Sequence, residues 1–291
     1  MNTKVVRRAG LIGAAMRRLA LVPARKKDEF LKNRAIRWTA LAAGLALGLG
    51  LAAGPAMGAD GIGPDADKIL RSMSTYLGGL STFSVNADID IEIIDLVGQK
   101  LQLSSSATIV IERPGNLYVR RQGALADAEF IFDGKVLTLY GKNHNVYAQI
   151  GSPGTIDDAI ETMRGKIGLA APGADLLYAD PYPSLAYGVV SGAYLGTAYV
   201  NGVECHYLTF REAKVDWQLW VQTGDAPLPM KYVITTKWMT GAPQFSVRFR
   251  GWNTKPQIEA GRFRFSAPQG AKRLDTIQAD EMGELMIEEV T

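Results

Sequence analysis

The chain has 291 residues, 47% of them hydrophobic, with a formal net charge of +3 and one cysteine, Cys205. A single cysteine excludes an intramolecular disulfide and a cysteine-rich metal site. Residues 1–58 carry 11 basic and 2 acidic side chains, so the rest holds 21 basic and 27 acidic ones. This acidic remainder excludes the electrostatic footprint of a nucleic-acid-binding protein.

The N-terminal region has the pattern of an export signal. An uncharged run from residue 38 to 53 follows a basic stretch, and small residues after it predict cleavage near Gly58 or Ala59. The alternative is an uncleaved membrane anchor, because the run approaches the ~18 to 20 residues that span a bilayer. We predict that residues 1–59 are a basic extension with a cleaved signal, and that the mature protein is periplasmic.

A helix followed by six strands is predicted next. Ile69, Met73, Tyr76 and Leu77 recur at helical spacing, which predicts a helix over residues 65–77. Alternating apolar and polar residues, separated by turn residues, then predict strands at 83–95, 99–112, 116–123, 128–133, 135–141 and 145–150. The strongest hairpin signal among these turns is Asp133-Gly134, where both residue types tolerate the backbone of a tight turn.

The alternation stops at about residue 152. Thr155 to Asp158 resembles a helix capping box, and the helix that follows has an apolar face. Residues 174–190 are apolar but broken by Pro181 and Pro183, so that no long helix is predicted there. We interpret residues 152–190 as a helical lid, whose helix at 156–167 presents Ile156, Ile160, Met163 and Ile167 on one face.

Six further strands are predicted beyond the lid, at 193–200, 203–211, 215–223, 228–239, 244–252 and 261–266. The fold class is mainly β (α+β): a curved antiparallel sheet that forms an incomplete barrel of about 11–12 strands, with an N-terminal helix and a helical lid. Residues 60–270 form this domain, and residues 271–291 are a loosely ordered tail.

One face of the predicted sheet is apolar and aromatic. A broad face of this kind, with only short helical segments over it, predicts an open trough for a long apolar ligand, although a core filled by the chain's own side chains is the alternative. Strand phase assigns the ligand-binding residues as Val85, Ile89, Ile91, Ile93, Trp217, Met230, Tyr232, Ile234, Trp238, Phe245 and Phe249.

Residue types that carry catalysis are sparse. His144 and His206 lack metal-ligand spacing, and adjacent Cys205 and His206 point to opposite faces of a strand. Asp88, Asp90 and Glu92 lie on one face of a predicted strand, a spacing that superficially resembles the paired carboxylates of a glycosidase. They are better explained as the solvent-exposed face of an amphipathic strand. We predict no catalytic residue, no metal and no cofactor.

Two sets of short motifs resemble a known superfamily. Its N-terminal half is matched by Arg113–Val119, Phe132–Lys135 and Asn145–Ala148. Asn201–Leu208, Asp216–Trp220 and Pro227–Tyr232 are similar to a branch of predicted periplasmic proteins that is a domain of unknown function. The superfamily is the lipoprotein-localisation, or LolA/LolB-like, superfamily, and the resemblance spans about residues 65–268.

The resemblance implies a non-enzymatic carrier or sensor for lipid or for the acyl chains of lipoproteins. No counterpart of the carriers' lid-locking arginine is assigned, and the lipid-attachment cysteine of the anchored acceptor is absent. The predicted partner is therefore a hydrophobic ligand, lipid or acylated protein, bound by a monomer. The alternative is a structural or interaction module with a self-filled core that docks a membrane protein of the envelope.

Overall fold

The computed structural model describes residues 61–95, 97–123, 127–169, 171–275, 278–279 and 285–286. The predicted export signal and most of the predicted tail beyond residue 275 lie outside these residues. Within the described residues, no helix combines the length and the apolar composition needed to cross a membrane.

One open sheet of thirteen strands dominates the described chain. Its strands are β1 (Gly61–Ile62), β2 (Thr82–Ile94), β3 (Lys100–Glu112), β4 (Asn116–Gly123), β5 (Asp127–Asp133), β6 (Val136–Gly141), β7 (Val146–Gly151), β8 (Val189–Val200), β9 (Val203–Glu212), β10 (Val215–Gln222), β11 (Pro229–Thr236), β12 (Gln244–Asn253) and β13 (Lys272–Arg273). A separate two-stranded sheet pairs β14 (Gln278–Ala279) with β15 (Leu285–Met286) in antiparallel orientation.

The sheet consists of two meanders placed side by side. Its spatial order is β1-β8-β9-β10-β11-β12-β2-β3-β4-β5-β6-β7-β13, so β12 pairs with β2 where the two halves meet. Neighbours are antiparallel, except that the short strands β1 and β13 pair in parallel with the edge strands β8 and β7. The mainly β class and the open antiparallel sheet agree with the sequence prediction.

The strand count, the end of one strand and the existence of another differ from the prediction. The short edge strands bring the count to thirteen, because a two-residue strand has no periodicity to detect. The predicted strand at 228–239 ends at Thr236, where a turn begins. The predicted strand at 261–266 is wrong: residues 261–263 form a turn and residues 264–266 have no regular secondary structure. The Phe265 ring packs against Tyr140 and Tyr147 at centroid distances of 5.6 and 4.9 Å.

The first helix, α1 (Pro64–Gly79), packs an apolar stripe onto the sheet. Pro64 occupies its first turn and Gly63 is the N-cap, so the helix begins one residue before the predicted start at residue 65. Pro suits this position because its fixed φ matches the helix and its missing N–H would be unpaired there. The residues of α1 that are fully buried against the sheet are Ala66, Leu70, Met73 and Leu77.

The lid connects β7 to β8 and contains four short helical segments. Its helix α2 (Ile156–Thr162) begins with the predicted capping box, in which the side chains and backbones of Thr155 and Asp158 satisfy each other. A π-helical turn over Met163–Ile167, a 3₁₀ turn over Ala174–Leu177 and the helix α3 (Pro181–Ala186) follow. Both α1 and the lid pack on the same face of the sheet, which we call the inner face.

Candidate hydrophobic ligand site

The structure divides the predicted ligand-binding residues into three groups. Val85, Trp217, Tyr232 and Phe249 lie on the inner face and are buried in the hydrophobic core formed with the helices. Ile89, Ile91, Ile93, Ile234 and Phe245 lie on the same face and remain partly exposed. Met230 and Trp238 are not brought to this face.

A β-bulge in β11 changes the face of the sheet on which the Met230 side chain lies. Trp220 pairs with Lys231 but Val221 pairs with Pro229, so Met230 is the extra residue of a β-bulge. Its side chain packs with Val200 and Cys205 in a second, smaller cluster on the opposite, outer face. The prediction that Met230 and Tyr232 lie on the same face of the sheet is therefore wrong, because a bulge interrupts the alternation of side chains between the two faces.

Trp238 is also misplaced by the sequence prediction. Since β11 ends at Thr236, Trp238 belongs to the turn that connects β11 to β12. Its side chain is 66% exposed, so its assignment to the inner face of a strand is wrong.

A patch of apolar side chains stays partly open at one end of the inner face. Ile91 pairs with Leu103 on one side and with Phe245 on the other, and Ile93 pairs with Leu101. Among the residues that the structure describes, neither these two isoleucines nor their leucine partners belong to the core that the helices form with the sheet. We define the inner-face patch as Ile89, Ile91, Ile93, Leu101, Leu103, Ile234 and Phe245.

The rest of the inner face is occupied by the chain's own side chains. The four predicted lid residues are buried in the core, Ile156 and Ile160 completely, Met163 and Ile167 with 5% and 2% exposure. Leu169, Leu176 and Leu185 of the lid join them. The apolar face predicted for α2 and the following turn thus packs onto the sheet.

Arg113 anchors the lid through two hydrogen bonds to lid carbonyls. Its Nη1 donates to the Leu177 carbonyl at 2.9 Å and its Nη2 to the Tyr178 carbonyl at 3.0 Å. Burial lowers the pKa of Arg113, with the nearby Asp157 carboxylate opposing the shift. Its Nε is buried without a partner among the described residues. Sequence reasoning missed this role, because Arg113 stands in a turn motif and its partners lie 64 and 65 residues away.

Replacing Arg113 with methionine is expected to loosen the 3₁₀ turn of the lid. Hydrogen bonds from a charged donor contribute about 1.5–3 kcal/mol each, partly offset here by the cost of burying the guanidinium. We expect the amides of Leu176 and Tyr178 to exchange about tenfold to a hundredfold faster, measured by hydrogen–deuterium exchange. The control is Arg211→Met, which removes an arginine whose side chain is 61% exposed; equal exchange in both variants would contradict the anchoring role.

Further polar contacts tie the lid to itself and to α1. Arg164 donates to Asp175 at 3.0 Å and to the Tyr178 hydroxyl at 2.6 Å. Tyr182 donates to Asp67 of α1 at 2.5 Å, and the Arg71 guanidinium lies 3.8 Å from the centre of its ring. The lid is therefore fastened at its middle and at its end.

The outer face carries the acidic row of β2 and two clefts. Asp88 pairs with Arg250 at 2.8 Å, Asp90 accepts a bond from Ser104, and Glu92 pairs with Lys100 at 3.0 Å. The Arg250 guanidinium lowers the pKa of Asp88, which keeps that carboxylate charged. Two clefts of about 520 and 200 Å³ lie between the outer face and residues 256–268, with Tyr118, Glu129, Arg262 and Phe265 lining the larger one.

The fold and the patch define a class of protein: an open antiparallel sheet with helices on one face and an apolar opening at one end of that face. The chain belongs to the family described as predicted periplasmic protein (DUF2092), whose model matches residues 66–277. No functionally curated protein matches the chain.

Three solved structures illustrate the similarity at the level of folds. An uncharacterized conserved protein from Thermus thermophilus is 12% identical with a TM-score of 0.43, covering 72% of this chain and 99% of that one. MucB is 15% identical with a TM-score of 0.45, covering 75% and 68%. A LolA superfamily protein from Nitrosomonas europaea is 10% identical with a TM-score of 0.35, covering 70% and 97%. Such low values carry no inference about a ligand or a partner.

Proposed function

We propose that the protein is a non-enzymatic binding or carrier protein of the periplasm, which holds a long hydrophobic ligand, a lipid or the acyl chain of a lipoprotein, on the inner-face patch. The observation that carries the proposal is the row of partly exposed apolar side chains beside a face that is otherwise packed. Export with signal cleavage near Gly58 or Ala59 would leave β1, which begins at Gly61, close to the new N-terminus.

The size of the patch limits how tightly it can bind. From Ile89 to Ile93 the strand advances four residues, about 13 Å at about 3.3 Å per residue. Ten methylenes half covered by the patch would gain about 4 kcal/mol, which corresponds to about millimolar affinity before the entropic costs of binding. Complete cover would double the gain and reach about the micromolar range. Tight binding therefore requires a second surface over the ligand.

The lid is the proposed second surface. In water, opening the lid would expose its seven buried apolar side chains, which costs about 1.5–3 kcal/mol for each side chain. This total cost exceeds the free energy gained by burying one alkyl chain. At a membrane the apolar face of the lid would enter the lipid instead, which offsets this cost. We infer that the lid helix at 156–167 opens at the membrane surface, where ligand is taken up or released, and that Arg113 resists opening elsewhere.

The alternative function is an interaction module that docks a membrane protein of the envelope. The observation that favours it is the packed inner face beneath α1 and the lid, where the chain's own side chains fill the space. Such a module needs no ligand. The two functions differ in whether the inner-face patch is occupied when the protein is isolated from its compartment.

Native mass spectrometry of protein purified from the periplasm tests the proposal. We expect a fraction with the added mass of one amphiphile, which organic extraction releases, and binding of a fluorescent alkyl-chain probe by the extracted protein. Protein of unmodified mass that also fails to bind the probe would refute the carrier and leave the interaction module.

A further inference from the structure

Exposed apolar side chains are concentrated at one end of the sheet. Six large hydrophobic side chains are exposed among the described residues, and four of them lie at this end: Val97, Tyr187, Val190 and Trp238. Val97 belongs to the turn between β2 and β3, and Trp238 to the turn between β11 and β12. Tyr187 and Val190 stand where the lid returns to the sheet at the start of β8. We call these four residues the apolar rim.

The strand register places the apolar rim at a single end. β10 begins where β11 ends, with Val215 paired to Thr236, and β8 begins where β9 ends. The start of β12 lies beside the last part of β2, with Phe245 paired to Ile91. From β8 to the β2–β3 turn there are roughly five strand spacings, about 24 Å along the sheet. The rim therefore spreads over three separate connections along one edge.

The apolar rim continues the inner-face patch. Ile93 and Leu101 of the patch pair with each other on the two sides of the β2–β3 turn. A side-chain atom placed on Gly241, in the β11–β12 turn, would lie 2.9 Å from Ile94 Cδ1, so this turn contacts the β2–β3 hairpin. An alkyl chain that slides along the patch toward this end of the sheet would therefore leave it at the rim.

A lysine with an available charge stands beside the rim. Lys214, in the β9–β10 turn, is exposed, and its side chain makes no hydrogen bond or ion pair within the described part of the chain. Its carbonyl accepts from the Lys237 amide at 3.0 Å, which places this turn next to Trp238. Two acidic side chains at this end are already bonded: Asp216 to Lys237 at 2.7 Å, and Asp95 to amides of its own turn. Lys214 can therefore attract an anion from outside.

We propose that the apolar rim and Lys214 form a docking surface for a bilayer that contains anionic phospholipid. The inference rests on the proposed function for its purpose, which is the passage of ligand between the inner-face patch and a membrane. Tryptophan and tyrosine favour the boundary between hydrocarbon and headgroups, because their rings are apolar at one end and polar at the other. A lysine beside them attracts anionic headgroups.

The shape of the surface favours a bilayer over a peptide. An extended peptide that adds to a sheet needs a continuous strand edge, whereas the rim is divided among separate connections that can touch one broad surface together. Tyr187 directly follows α3 of the lid. Docking at the rim would therefore also bring the lid to the membrane, where its opening costs least.

Co-sedimentation with sucrose-loaded vesicles tests the docking surface on protein purified from the periplasm. We expect binding to vesicles of phosphatidylglycerol and phosphatidylcholine in equal parts, and weaker binding to phosphatidylcholine alone. Trp238→Ser should weaken binding to both kinds of vesicle about tenfold, because its apolar contact with the bilayer is lost. Lys214→Glu should weaken binding to the mixed vesicles about fivefold to thirtyfold and leave binding to phosphatidylcholine unchanged.

Tyr199→Ser and Lys255→Glu are the matched controls. Tyr199 is 72% exposed but stands toward the opposite end of β8, and Lys255 is exposed beyond the end of β12 that pairs with the start of β2. Lys255→Glu changes the net charge as Lys214→Glu does. Both controls should bind the mixed vesicles as the unaltered protein does.

Several outcomes would overturn the docking surface. They are absence of binding to either kind of vesicle, equal losses in the rim variants and the controls, and a Trp238→Ser variant that changes the oligomeric state instead of vesicle binding. The alkyl-chain probe separates this inference from the proposed function. Protein that binds the probe but no vesicle overturns the docking surface alone, whereas protein that binds vesicles through the rim but not the probe overturns the carrier and supports the docking surface.

Discussion

Truncating Trp217 to alanine is expected to lower the free energy of unfolding by about 3–5 kcal/mol. The side chain is 2% exposed and its ring stacks on Phe210 at a centroid distance of 3.9 Å. The variant also leaves the Glu212 carboxylate without the indole N–H that it accepts from. Chemical denaturation followed by circular dichroism measures the change.

The same strand supplies a matched control. Trp220 lies on the outer face, where it stacks on Tyr207 at 4.5 Å and receives the Lys231 ammonium on its ring. Trp220→Ala should cost only about 1–2 kcal/mol, since the side chain is partly exposed and an aromatic pair adds about 0.5–1.5 kcal/mol. Equal losses from the two tryptophans would contradict the assignment of one face of β10 to the core.

Replacing Ile91 with aspartate is expected to weaken binding of an alkyl-chain probe about tenfold to a hundredfold. Ile91 is at the centre of the inner-face patch, between Leu103 and Phe245. Loss of about 1.5–3 kcal/mol of apolar contact, together with a charge facing the ligand, gives this range. A fluorescence titration measures it, with unfolding curves to show that the fold is retained.

Asp90→Asn is the control for this experiment. Asp90 is the adjacent residue, but it faces outward and accepts a bond from Ser104 of the neighbouring strand. Its replacement should leave the affinity for the probe within about twofold, a change of only about 0.4 kcal/mol. If Ile91→Asp binds as the control does, the ligand does not lie on the patch.

Strong local patterns allowed much of this fold to be predicted from sequence. In β2, strict alternation buries Phe83, Val85 and Ala87 on one face, as a strand with one wet face requires. The Asp133-Gly134 turn also follows from local chemistry. The Asp133 carboxylate accepts from the amides of Lys135 and Val136, and Gly134 has a φ of 84°.

The errors arose where distant residues decide the local structure. Alternation in 261–266 predicted a strand, but Phe265 is held by two tyrosines from β6 and β7. The bulge at Met230 leaves no mark on the alternating pattern. The pairing of Arg113 with the lid depends on how the lid docks, which periodicity does not encode.

The face assignment could be predicted for most site residues, but the degree of exposure could not. Val85 and Ile91 share one strand and one face, yet one is buried in the core and the other is partly exposed. The difference comes from where α1 and the lid end on the sheet. A sequence pattern gives the direction of a side chain but not what lies above it.

Methyl NMR of isoleucine-labelled protein, titrated with decylamine, tests the central claim most directly. Occupation of the inner-face patch predicts saturable shifts at the methyl groups of Ile89, Ile91 and Ile93. The buried Ile111 and Ile160, both with 0% exposure, should shift little. Patch signals that stay in place at a saturating concentration of ligand, or shifts confined to the buried isoleucines, would contradict binding at this surface.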